Sequence, residues 1–160
     1  MNELTFRAAE EKDCGLILFF IRALAAYEKL SDEVVATEEI LRDWLFRKHS
    51  AEVIFACENG REVGFALFFH NFSTFVGRAG LYLEDLYVLP EYRGKGYGKA
   101  LLGKLAAIAV ARGCGRMEWV CLDWNQPSID LYRSLGAEPQ DEWTIYRVAG
   151  ESLQRLAQDR

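Results

Sequence analysis

The run Arg93-Gly94-Lys95-Gly96-Tyr97-Gly98 places three glycines between a strand-like stretch, "GLYLEDLYVL", and a long amphipathic stretch, Gly98–Arg112. Glycine in such a place is costly in conformational entropy and packs nothing. Its use is to bare backbone N–H groups. With the positive end of the following helix, these make a cradle for phosphate or pyrophosphate. Lys95 and Lys99 can add charge, and Arg93 stands at the entrance. The spacing is not G-x-x-x-x-G-K-[ST], which excludes a P-loop. Nor does the run lie in a first βαβ unit with an acidic residue about twenty positions on, as a dinucleotide fold requires.

Just before this loop stand two adjacent carboxylates, Glu84 and Asp85. Alternation along a strand sends neighbours to opposite faces, so they form no pair unless a bulge intervenes. An acid between "LYL" and "LYV" is either solvent-facing or a functional group whose burial is compensated. Asn125 and Ser128, in "NQPS", suit helix capping, and Tyr132 suits the core face of a short helix. Asp141 and Glu142, before Trp143, read as a solvated turn or as a site for a cation. His49 and His70 fall in no nucleophile motif, and no Ser-His-Asp or Cys-His set is evident. Cys14, Cys57, Cys114 and Cys121 stand singly and read as buried free thiols.

The elements that position these groups follow from periodicity. "LTFRAA" reads as a strand, and "GLILFFIRALAAYEKL" as a helix with apolar residues at i, i+3, i+4. "TEEILRDWLF" is a second helix with Thr37 as N-cap. "EVIFACENGREVGFALFFHNF" is a hairpin turning at Asn59-Gly60, a type I′ signature. After the strand ended by Pro90 come the Gly98–Arg112 helix with Gly113 as cap, and a strand in "RMEWVCL". A short helix in "QPSIDLYRSLG", a last strand in "WTIYRV" and a terminal helix in "ESLQRLA" complete the chain. The order β-α-α-β-β-β-α-β-α-β predicts a mixed α/β fold: one domain over 1–160, with helices on both faces of a mixed, mostly antiparallel sheet.

The 160 residues can bury a real core, and 51% hydrophobic with 27% charged residues is an ordinary globular composition. A net charge of −5 argues against nucleic acid as the main partner and is compatible with a cationic substrate. The N-terminal stretch has no basic region followed by an apolar one, and "LILFFI" is too short to span a bilayer. The expectation is a cytoplasmic protein with no membrane partner.

The match to R-x-x-G-x-G, preceded by "EDLYVLPEYRG" and followed by "WNQPSIDLYRSLGA", resembles the coenzyme A loop of the GCN5-related N-acetyltransferases (GNAT). With "AYEKL" and "LYLED" added, nearly the whole chain is similar to the diamine acetyltransferase branch, the spermidine/spermine N1-acetyltransferase-like proteins. That branch also includes enzymes acting on thialysine. The resemblance implies acetyl-CoA as cofactor, no metal, and a sheet splayed at the coenzyme A site. Leu86, Tyr87 and Val88 would pair through their backbone with the pantetheine arm. The amides from Gly94 through Lys95, Gly96, Tyr97 and Gly98 to Lys99, beside Arg93, would take the pyrophosphate. Asn125 and Ser128 would lie near the reactive end.

Direct acyl transfer needs a neutral amine, a stabilised oxyanion and a proton for the leaving thiolate. The resemblance makes Tyr132 the general acid, a role suited to a phenol that stays protonated at neutral pH. It makes Glu84 the group that holds the amine or takes its proton through water, with Asp85 lining the site or serving structure. Tyr27 and Glu28 match substrate positions, and Glu142 with Asp141 are candidates for a distal ammonium. The segment between Gly136 and Trp143 is shorter than the diamine pattern, which leaves that distal site open. The implied substrate is a small primary amine: a polyamine, a diamine or a thialysine-like amino acid. A peptide or protein amine, and a non-catalytic acyl-CoA-binding module, are the alternatives. A homodimer is also implied.

Overall fold

The computed structural model describes residues 3–158. The chain divides into two compact units, Met1–Val120 and Cys121–Arg160. In the first unit a five-stranded sheet runs in the order β1 (Leu4–Ala8), β2 (Glu52–Glu58), β3 (Arg61–Ser73), β4 (Arg78–Val88) and β5 (Met117–Glu118). The first four strands are antiparallel and β5 is parallel to β4. This is the mixed, mostly antiparallel α/β fold that the element order predicts.

Helix α1 (Cys14–Tyr27) and the segment α2 (Glu38–Leu41), which continues as a π-helical turn over Arg42–Arg47, cover one face. Ile17, Leu18 and Phe20 of α1 meet Val53, Phe55 and Phe65 of the sheet there. Phe20 stacks on Phe65 with ring centroids 5.2 Å apart. Thr37 caps α2 as expected, its hydroxyl accepting from Ile40 N–H. Helix α3 (Tyr97–Ala111) lies on the opposite face, where Leu101 approaches Gly64. A side chain at 64 would strike the Tyr87 carbonyl and Leu101, so the glycine permits this close packing.

The hairpin turns at Asn59-Gly60 with φ of 50° and 82°, the left-handed pair that a type I′ turn requires. Between β3 and β4 the register slips: Leu67 faces Asp85, but Phe68 faces Leu83. Glu84 is the extra residue of a β-bulge. The intervening bulge, the exception to strict alternation for Glu84 and Asp85, is the arrangement found.

The second unit holds α4 (Gln126–Ser134), with Pro127 in its first turn, and α5 (Gly150–Gln158). Two strand expectations need correction. Of "RMEWVCL" only Met117–Glu118 pairs, and "WTIYRV" forms no strand among the described residues. A strand persists only where a neighbour satisfies its N–H and C=O groups, and Trp143–Val148 pairs with no strand among the described residues. Ile145 and Tyr146 stand 68% and 92% exposed. The thiol expectation is half right: Cys14 and Cys57 are buried, but Cys114 and Cys121 are only partly covered.

Candidate active site

The glycine loop has the form expected of an anion cradle. Gly94 and Gly96 take φ of +79° and +81°, a region that side chains adopt at a cost. A Cβ built on either would meet nothing within 4 Å, and one on Gly98 would only reach Leu86 at 4.0 Å. The space beside these residues is thus open, though packing would fill it elsewhere. Gly96 is the N-cap of α3, no side chain caps this end, and no acid lies in its first turn. The first N–H groups of α3 therefore carry a partial positive charge that no acid of the helix itself offsets. These features fit a pyrophosphate.

The strand before the loop offers the second element. β5 pairs with β4 only at Leu81 and Tyr82, so no strand among the described residues covers that edge at Leu86–Val88. Leu89 N–H donates to Val63 O, and alternation turns the N–H and C=O of Val88 toward the open edge. Backbone along this edge therefore lacks a strand partner among the described residues. Arg93 folds back over it. Its Nε donates to Val88 O at 3.1 Å, and its guanidinium lies 5.0 Å from the ring centroids of both Tyr27 and Tyr87.

The carboxylates gather near the same strand. Glu84 is exposed on its bulge, and Asp85 is half-buried. Burial, first, then the charges of Glu84 and Glu28, push the Asp85 carboxyl up to about 6. Glu28 caps the C-terminus of α1, and burial raises its carboxyl too. Tyr27, at the end of the same helix, sits 6.3 Å from Tyr87. The structure thus brings Tyr27, Glu28, Glu84, Asp85, Tyr87 and Arg93 into one neighbourhood.

The remaining site candidates lie in the second unit. Asn125 is the buried N-cap residue of α4, yet its side chain makes no capping bond to the helix. Plain capping therefore does not account for it. Ser128 and Tyr132 are half-buried on α4. Asp141 and Glu142 occupy an exposed turn.

One participant is absent from the sequence reading. Glu58, at the end of β2, is 8% exposed and accepts hydrogen bonds from Lys95 Nζ at 2.9 Å and the Tyr97 hydroxyl at 2.5 Å. Next to the Asn59-Gly60 turn it reads as an ordinary solvated flank. Only the fold shows that it faces the glycine loop. Lys95 is exposed and its ammonium is ion-paired with Glu58, and Lys99 is exposed as well.

Comparison with known proteins decides the family. Residues 7–137 match the profile of the Acetyltransferase (GNAT) family. The chain belongs to this family. It is an acetyl-CoA-dependent N-acetyltransferase. The GNAT chain is 41% identical to the thialysine N-epsilon-acetyltransferase of Sus scrofa, over 98% of its own length and 99% of the relative's. It is 33% identical, over 98% of its length, to spermidine/spermine N(1)-acetyltransferase-like protein 1 of Homo sapiens, of which it spans 24%. Both lie in the diamine acetyltransferase-like branch. Among solved structures, an integron cassette protein from the mobile metagenome of V. cholerae matches with a TM-score of 0.80 at 30% identity, over 98% of each chain.

Proposed function

We propose that this GNAT enzyme, acting as one domain over 1–160, acetylates the side-chain amine of a small thialysine-like or lysine-like amino acid. The observation that carries a cationic small substrate is the acid neighbourhood of Glu28, Glu84 and Asp85 beside the open edge of β4. The end-to-end relation to a thialysine enzyme supports the amino-acid choice. A polyamine is the second reading, because three neighbouring carboxylates also suit a polycation.

In this reading the Gly94–Lys99 amides and the Leu86–Val88 edge hold acetyl-CoA, which supplies an activated acetyl thioester. Glu84, exposed on its bulge, holds the incoming ammonium by charge. Asp85, whose carboxyl is raised by burial, is well suited to take the amine's proton, directly or through one water. This moves the base from Glu84 to its neighbour. Tyr27 offers an aromatic face to the substrate chain. Tyr132 would give its proton to the departing thiolate, which leaves as the free thiol, and Asn125 and Ser128 would orient the reactive end. Asp141 and Glu142 stay a candidate second ammonium site for longer amines. The active form is a homodimer.

The test is CoA release from acetyl-CoA with thialysine, lysine, ornithine, putrescine, spermidine, spermine and a lysine-containing peptide. The expected result is the highest kcat/KM for thialysine, and for Tyr132→Phe a kcat lowered about 10²-fold or more with CoA affinity kept. A spermidine preference would install the polyamine reading, and a peptide preference would remove both. Silence on every amine with CoA still bound would leave a binding module.

A further inference from the structure

The glycines leave the loop without packing of its own, because Gly94 and Gly96 present nothing to the protein. Two loop side chains reach inward, Lys95 and Tyr97, one on each side of the N-cap Gly96. Both end on the same carboxylate, Glu58, at 2.9 and 2.5 Å. The backbone that carries this carboxylate is held in the sheet, since Glu58 pairs with Leu4 on β1 and with Arg61 on β3. The Lys95 ammonium also lies 5.3 and 5.9 Å from the ring centroids of Tyr92 and Tyr97.

A buried carboxylate next to an anion cradle is adverse on electrostatic grounds. Pairing with Lys95 removes that objection, but it also removes Lys95 as a charge for the ligand. Such an arrangement has a use if the carboxylate sets the loop's geometry. We propose that Glu58 is the positioning residue of the coenzyme A loop: through Tyr97 and Lys95 it holds the amides around Gly96 in their anion-binding arrangement before any ligand arrives. This rests on the reading of the glycine loop as the coenzyme A site. Lys95, on this account, anchors the loop to the sheet and carries no phosphate.

The test measures CoA affinity by calorimetry in the absence of amine, on the full chain. Glu58→Gln and Tyr97→Phe are each expected to weaken CoA binding about tenfold. The double variant is expected to lose little more than either single one, because one network is broken only once. Amide hydrogen exchange over 94–98 in the ligand-free protein should speed up in both. Absorbance titration should bring Tyr97, held up at about 12 by its bond to Glu58, down toward about 10 in Glu58→Gln. Lys95→Met combined with Glu58→Gln, which removes the pair without leaving a lone charge, should keep the wild-type salt dependence of CoA binding. A flatter salt dependence would put Lys95 on a phosphate and overturn the anchor role. Wild-type CoA affinity and loop exchange in Tyr97→Phe, which keeps the Glu58–Lys95 pair, would overturn the inference even if Glu58→Gln folds poorly. Failure of the wild-type protein to bind CoA would overturn the underlying reading of the loop, and the inference with it.

Discussion

At the scale of single residues, the division of labour between Glu84 and Asp85 turns on their surroundings. Glu84 stands in solvent on a bulge, whereas Asp85 is partly withdrawn from water and faces two other acids. Both effects favour its neutral form and push its carboxyl up to about 6, so in the proposed role it would act as a base only above that pH. The expected kcat/KM therefore falls on the acid side below about pH 6, with unit slope, separate from the alkaline limb of the substrate amine. Asp85→Asn is expected to lower kcat/KM by about 10²-fold or more and to abolish that acid limb. Stability should move the other way. The folded state holds Asp85 above its unfolded value, so its ionisation opposes folding above about pH 6. Near pH 7.5, Asp85→Asn should melt no lower than wild type. An acid limb that survives the substitution would return the base to Glu84 or to water.

At the scale of elements, the glycine loop separates two effects usually entangled in one mutant. Gly96 sits at φ +81°, so Gly96→Ala strains the backbone whether or not a ligand is present. About 1 kcal/mol of folding stability should go, and CoA affinity with it. Gly98 carries no such φ, and a methyl group there meets only open space and Leu86 at 4.0 Å. Gly98→Ala should therefore melt like wild type or slightly higher, yet bind CoA at least about tenfold more weakly, because the methyl group occupies ligand space. Equal CoA affinity in Gly98→Ala, measured by calorimetry, would place the pyrophosphate elsewhere. The loop was legible in the sequence because its glycines and its place between strand and helix are local properties. The bulge at Glu84 was not, because it depends on where β3 and β4 slip register, and a strand's own pattern does not record its partner's. Glu58 was not legible for a related reason: its contact with Tyr97 joins residues 39 positions apart in the chain.

At the scale of the whole molecule, the meander β2–β3–β4, the helices on both faces of the sheet and the family were readable from periodicity and motif. The last strand was not, and its failure to form carries a consequence. Trp143, Ile145, Tyr146 and Val148 are large and β-prone, yet they stand exposed, as do Leu153 and Leu156 of α5. Large apolar side chains gathered in one short segment are costly to leave in water and usually mark an interface. A second copy of the chain would supply what strand pairing requires, an edge for the backbone and cover for the side chains. The protein is therefore expected to sediment at about 37 kDa, twice its 18.3 kDa chain mass. The paired substitution Ile145→Lys and Tyr146→Glu should shift it toward the chain mass, because a charge at a covered position cannot be desolvated cheaply. The first unit holds its own core and should keep its far-ultraviolet spectrum in that variant. Sedimentation at the chain mass in the wild type, at concentrations of about 10 μM, would reject the dimer and leave the Trp143–Val148 segment to be covered by some other means.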